Sequence, residues 1–238
     1  MSRPPHAVVT GASRGFGLAV ADALSDAGWR VTAVCRSAQP ARHDRSTVVG
    51  DVTDPATATA LAGAIGNDPI DLLVNNAGVS GGSPALLDVR TADLETSFAT
   101  AVLGPMQIVR GCLPALRAAD GALVINVSSR FASLARQAAD EYVQATRRTS
   151  YGYRITKAAQ NMLTIALAQE LAADSIAVWA IHPGTLTTRL GTKLADTAPE
   201  VAASALLELL LQRDRADMRP RFISLDLRES PDGADLPW

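Results

Sequence analysis

Cysteine, lysine and long apolar runs are what this 238-residue chain has least of. Its two cysteines, Cys35 and Cys112, lie far apart with no metal-ligand spacing around them, which excludes a disulfide framework and offers no metal motif. They read as reduced, buried thiols. Lys157 and Lys193 are the only lysines, against twenty arginines, so a lysine at a motif position is less easily chance. The arginine bias and the alanine richness suggest a GC-rich bacterial genome. The longest apolar runs, such as "ALLELLL" at 205–211, stop after about two helical turns, too short to cross a membrane. The N-terminus "MSRPPHAVV" has no apolar core of signal-peptide length, so a cytoplasmic protein is expected. Net charge is −2 with no basic block or aromatic-interleaved patch, which argues against nucleic acid as a partner.

The chain is 47% hydrophobic and 19% charged, ample for a large core. Short β-branched runs alternate with longer helical stretches. Strands are expected over 7–11, 30–36, 46–52, 70–78, 121–129, 176–184 and 221–227. Helices are expected over 17–29, from Pro55, over 91–119 as one helix or a broken pair, over 151–173 and over 199–212. The strands are almost continuously apolar, as when helices cover both sheet faces. Regular β–α alternation without a linker predicts an α/β fold: one doubly wound parallel sheet, Rossmann-type, in a single domain over 1–238. The least regular stretch is 130–150.

Between the first strand and the first helix lies "TGASRGFG", residues 10–17. Such a loop aims backbone N–H groups and a helix dipole at one point, and glycines let a diphosphate approach. By spacing alone it serves equally as a structural turn; its place between strand and helix favours the phosphate site. No Gly-Lys ends it, so a P-loop is excluded. An acidic residue at the end of the second strand would suit the ribose of NAD. This chain has Arg36 there and Arg14 in the loop, planar donors matched to a 2′-phosphate, which points to NADP rather than NAD. Asp51, after the third strand, is placed for the adenine amino group.

Tyr153 and Lys157 are four apart on one predicted helix and share a face. With three tyrosines and two lysines in the chain, a chance Tyr-x-x-x-Lys is expected about 0.03 times. A phenol titrates near 10 and needs help to move a proton at neutral pH; a nearby ammonium lowers its pKa. Ser129, at the end of the fifth strand, could hydrogen-bond a substrate oxygen beside that phenol.

The pieces "TGASRGFG", "GDVTD", "NNAG", "INVSS", "YRITK" and "HPGTLTT", in this order, resemble the short-chain dehydrogenase/reductase superfamily over essentially the whole chain. The ending "DLPW" and "YGYRITKAAQNML" look most similar to its C-factor-like and sniffer-like carbonyl reductases. The resemblance implies Ser129, Tyr153 and Lys157 as the catalytic serine, tyrosine and lysine. It implies a cofactor site from Gly11, Ser13, Arg14, Gly15, Phe16, Gly17, Arg36, Asp51, Val52, Asn75, Ala77, Gly78, Tyr153, Lys157, Pro183 and Gly184. Leu186, through its backbone, and Thr188, through its hydroxyl, would hold the nicotinamide carboxamide. The implied reaction is reversible hydride transfer between NADP(H) and a small-molecule carbonyl or alcohol, with no metal. Tyr153 would donate the proton, Ser129 orient the oxygen, and Lys157 hold the nicotinamide ribose and depress the phenol pKa.

The chain departs from the family pattern at two places. Where the family usually has an asparagine that props open a proton-return path, the run "FATAVLGP" places Ala101. The expected consequence is a slower enzyme, a rerouted proton path, or a non-catalytic NADP-binding sensor or scaffold. Second, Ser129 and Tyr153 are 24 residues apart, about twice the usual separation. The extra residues read as a surface excursion or as a pocket wall, with Arg130, Phe131 and Tyr142 as substrate contacts. Arginines at 130, 136, 147 and 148 leave room for an acidic substrate group. The insertion could also obstruct the family's helix-pair interface, so a homodimer or a monomer is expected. The stretch 189–200, where a substrate lid often forms, looks truncated.

Overall fold

The computed structural model describes residues 3–38, 43–142, 145, 148–188, 195–226, 228–230 and 235–238. Arg147, residues 189–194 of the short lid stretch and Leu227 lie outside them. Seven strands form one all-parallel sheet: β1 (His6–Thr10), β2 (Arg30–Cys35), β3 (Arg45–Val49), β4 (Leu72–Asn75), β5 (Leu123–Val127), β6 (Ala177–His182) and β7 (Arg221–Ser224), in the order β3-β2-β1-β4-β5-β6-β7. β1, β4, β5 and β6 are buried at every residue, while the edge strand β3 is only partly covered. The order reverses between β1 and β4, and there the two loops leaving the carboxyl ends part and open a crevice.

Helices cover both faces. α1 (Gly15–Asp26) packs against α7 (Pro199–Leu211) over one face, with Ala7, Val9, Leu123 and Trp179 beneath. On the other face α2 (Pro55–Ile65), α4 (Gly104–Arg117) and α6 (Tyr151–Leu171) cover Val8, Leu73, Val124 and Val178. Alternate residues of one strand thus feed two cores, which is why the strands read as unbroken apolar runs. Asp54 caps α2 by accepting from the Ala56 N–H at 2.9 Å, and Pro55 occupies the first turn, as their sequence order predicts. Both cysteines are buried and free, and burial pushes the Cys112 thiol up to about 12.

The expected helix over 91–119 is continuous but widened: α3 (Thr91–Phe98) passes through a π turn, Ala99–Leu103, into α4. Pro105 has no N–H to give the Ala101 carbonyl four residues earlier, and its ring crowds that carbonyl, so the helix loosens there. Ala101 itself is buried.

The stretch 130–150 holds a 3₁₀ turn (Arg130–Ala132) and the short α5 (Leu134–Ala138). The C-terminal segment fastens it from below. The Ala135 N–H donates to the Trp238 carbonyl at 3.1 Å, Trp238 stacks on Phe222 of β7, and Leu236 is buried.

β6 ends on His182, which is buried with no protein partner for either ring nitrogen among the described residues. Desolvation first, and the nearby Arg130 second, lower its pKa from 6.5 to about 4. Between these values the unfolded chain binds a proton that the folded one refuses, so stability falls as pH drops from about 6.5 to about 4 and the loss is complete below that. In urea unfolding, we expect wild type to lose up to about 3 kcal/mol more than His182→Asn across that window. Parallel pH profiles for the two proteins would contradict it.

Candidate active site

The crevice deepens into a cavity of about 1190 Å³. Its floor is the loop between β1 and α1. Gly11 and Gly15 have positive φ (66° and 56°), and a Cβ on Gly11 would sit 3.0 Å from the Ala77 Cα. The N-terminus of α1 carries no side-chain cap, so its first N–H groups remain available to an anion. Gly17 does not reach the cavity. A Cβ there would fall 2.3 Å from Asn76 Nδ2 and 2.6 Å from the Gly11 carbonyl oxygen, so its glycine serves the close approach of loop and helix.

Ser13, Arg14, Gly15 and Phe16 line the cavity with Arg36, Asp51, Val52, Ala77, Gly78, Pro183, Gly184, Leu186 and Thr188. Arg14 and Arg36 are both exposed, and neither meets a carboxylate among the described residues. Asp51 Oδ1 accepts from the Thr53 backbone N–H (3.0 Å) and hydroxyl (2.8 Å), which orients the carboxylate at the cavity edge. Unpaired guanidiniums, an uncapped helix N-terminus and a glycine floor fit a phosphorylated dinucleotide.

Asn75 lies elsewhere. It is buried inside the sheet, where its Nδ2 donates to Oδ1 of Asn126, its register partner on β5, at 3.0 Å. Its neighbour Asn76 faces the loop instead. Asn76 Nδ2 donates to the carbonyls of Thr10 (2.9 Å) and Gly11 (3.3 Å), and Thr10 Oγ1 accepts from the Asn76 and Ala77 N–H groups. Strand alternation decides which asparagine of the doublet faces which way. That signal was present in "NNAG", but the register was not.

The reacting centre closes the other end. Ser129, Tyr153 and Lys157 line the same cavity, brought together from the end of β5 and the first two turns of α6. Ser150 caps α6, accepting from the Tyr153 N–H at 3.2 Å and donating to the Ser80 carbonyl at 2.5 Å, which ties the tyrosine's turn to the loop after β4. Lys157 is buried. Its Nζ donates to the Val127 carbonyl at 2.5 Å and to Gln160 Oε1 at 2.9 Å, and burial lowers its pKa to about 8. Contrary to the expectation from spacing, the Tyr153 phenol stands above its ordinary value. Burial raises it, outweighing the Ser129 hydrogen bond and the Arg130 charge that pull it down. The lysine's charge is spent on two oxygens instead, with Nζ 5.9 Å from the ring centroid.

The insertion forms a wall: Arg130, Phe131, Ala145, Arg148 and Thr149 line the cavity. Tyr142 does not; it stands behind them. Its hydroxyl donates to Glu229 Oε2 at 3.1 Å and accepts from Arg136 at 2.6 Å, its ring meets Phe131 edge-on, and Arg130 pairs with Glu229. Arg130 is thereby neutralised by a residue far along the chain, while Arg148 remains exposed. Across the mouth, Asp196 pairs with Arg228. Gln160, His182 and Asn76 escaped the sequence reading because their chemistry depends on partners distant in the chain.

A family model described as short chain dehydrogenase matches residues 5–199. Among curated proteins, C-signal of Myxococcus xanthus is 38% identical over 134 residues, 56% of this chain and 75% of its own. D-erythrulose reductase of Gallus gallus is 37% identical over 198 residues, 79% of this chain and 74% of its own. The solved structure of NADPH-bound carbonyl reductase from chicken fatty liver superposes with a TM-score of 0.84 at 26% identity, covering all of both chains. With the parallel sheet, the glycine floor and the serine, tyrosine and lysine on one cavity, this chain belongs to the short-chain dehydrogenase family of NAD(P)-dependent oxidoreductases that act on alcohol and carbonyl groups.

Proposed function

We propose that the protein reduces a ketone or aldehyde to an alcohol, with NADPH preferred over NADH. The observation that carries this is the convergence of Ser129, Tyr153 and Lys157 on the cavity whose floor is the glycine loop. The dinucleotide, when bound, supplies the hydride. Gly11, Gly15 and the α1 N-terminus would hold its diphosphate, and Arg14 and Arg36 its 2′-phosphate, where two planar donors are matched to phosphate oxygens. Asp51 would meet the adenine amino group, and Leu186 and Thr188 the carboxamide.

Ser129 orients the carbonyl oxygen by hydrogen bonding, and Tyr153 delivers the proton to it. A phenol held above its ordinary pKa by burial is reliably protonated at neutral pH, which suits a donor. As negative charge builds on the phenol oxygen, the Lys157 ammonium and the Ser129 hydroxyl stabilise it. Lys157, with its pKa near 8, is charged at pH 7 and loses that charge above about 8. Phe131 offers an apolar surface to the substrate body, and Arg148 an exposed cation at the mouth. Tyr142 acts by bracing Arg130. The buried Ala101 is the one observation favouring a non-catalytic NADP-binding sensor or scaffold; the retained serine, tyrosine and lysine weigh against it.

NADPH oxidation across a carbonyl panel, followed for wild type and Tyr153→Phe, tests the reading. Turnover should fall by about 10² to 10⁴ in the variant with NADPH binding unchanged; tight binding without turnover by wild type on any carbonyl would favour the sensor. For the cofactor preference, replacing Arg14 and Arg36 by alanine should raise KM for NADPH on the order of tenfold to a hundredfold and leave NADH within a few-fold. Equal losses for both cofactors would refute a 2′-phosphate role.

A further inference from the structure

Lys157 is a buried charge with no carboxylate against it among the described residues. Two neutral oxygens hold it: the Val127 carbonyl and Gln160 Oε1. A lysine can only donate, so the Gln160 atom facing it must be the oxygen. Gln160 has no exposed surface. The other polar residues on this buried face of α6 each have a separate partner. Thr156 Oγ1 donates to the Gly152 carbonyl and Thr164 Oγ1 to the Gln160 carbonyl, while Asn161 Oδ1 accepts from Ser128. The side chain of Gln160 has one partner among the described residues, Lys157, and its Nε2 is buried without an acceptor. Asn161 Nδ2 on the same face is likewise without an acceptor among the described residues; what sets Gln160 apart is that its one partner is the buried ammonium.

We propose that Gln160 is the positioning residue that keeps Lys157 charged and aimed at the reacting centre. This rests on the reading of Lys157 as the group that supports Tyr153. Two of the three lysine donors are fixed inward, at Val127 and Gln160, which leaves the third for the cavity that Lys157 lines. Without Gln160 Oε1 the ammonium would keep a single oxygen in the same desolvated place, and its neutral form would gain. The other groups near the lysine do not replace the contact. Tyr153 lies one turn earlier on α6. After β5, Arg130 is paired with Glu229, and at the end of β6, His182, near Asp226 and Glu229, is neutral above about pH 4. From the long helix, Thr100 and Ala101 are uncharged.

The chain's two lysines make a direct test possible. In protein labelled with ε-¹³C lysine, two side-chain signals titrate, and Lys193→Arg assigns them. Without cofactor or substrate, the Lys157 midpoint should fall by about one pH unit in Gln160→Leu, a tenfold weaker hold on the proton. In the near-isosteric Gln160→Glu it should rise above wild type, because a carboxylate favours the charged form; a change of packing alone would not move the two variants in opposite directions. The alkaline limb of carbonyl reduction should shift the same way, with kcat affected and KM for the carbonyl within about twofold. An unmoved midpoint in Gln160→Leu overturns the proposal, and so does an unmoved midpoint in Gln160→Glu should the leucine variant not fold. Because the titration is read on the free protein, it is independent of Tyr153→Phe, whose full activity would instead remove the catalytic reading.

Discussion

The site depends on an approach of two loops that only glycine permits. Where the strand order reverses, the chain leaving β1 and the chain leaving β4 must pass close enough for Asn76 to bond the carbonyls of Thr10 and Gly11. Gly17 lies under that contact with no room for a methyl group. The contact sets where α1 begins, and therefore where its unpaired N–H groups point. It also fixes Ala77 and Gly78 as one side of the cavity. A parallel sheet supplies the crevice, but this packing gives the crevice a floor of backbone donors.

At the opposite end, burial governs the chemistry. Desolvation moves the phenol up from 10 and the ammonium down from 10.5 to about 8, which pushes the two pKa values apart. The phenol therefore keeps its proton across the range in which the ammonium gives up its charge. The polar face of α6 and the polar residues at the end of β5 make this burial tolerable. Asn126 donates to Thr164, Ser128 to Asn161, and Lys157 to Val127 and Gln160. A helix that would ordinarily turn apolar residues to a sheet instead carries a run of hydrogen-bonding groups opposite the strand end that holds Ser129.

Most of the fold was legible because its signals are local. Continuous apolar runs marked the strands, and Asp54-Pro55 marked the start of α2. The observed strands are shorter at their ends than the apolar runs. Residues such as Ala77, Gly78, Pro183 and Gly184 leave the ladder to line the cavity, and apolar character does not distinguish a ladder residue from a cavity residue. An irregularity in the long helix could be anticipated, and Pro105 is its cause, but the π turn that keeps the helix continuous depends on how the freed carbonyl is accommodated.

By itself the sequence determined the β–α alternation, the glycine loop with Arg14 in it and Arg36 after the second strand, and the four-residue spacing that places Tyr153 and Lys157 on one face. These are properties of neighbours along the chain, set by backbone geometry and side-chain period. The tertiary structure alone decided which asparagine of "NNAG" meets the loop, and that Glu229 and Trp238 anchor the insertion as a wall. It decided, too, that Gln160 and Val127 hold Lys157. Each joins elements that only the packed sheet brings together, and a hydrogen bond or a desolvation energy exists only where its partners meet.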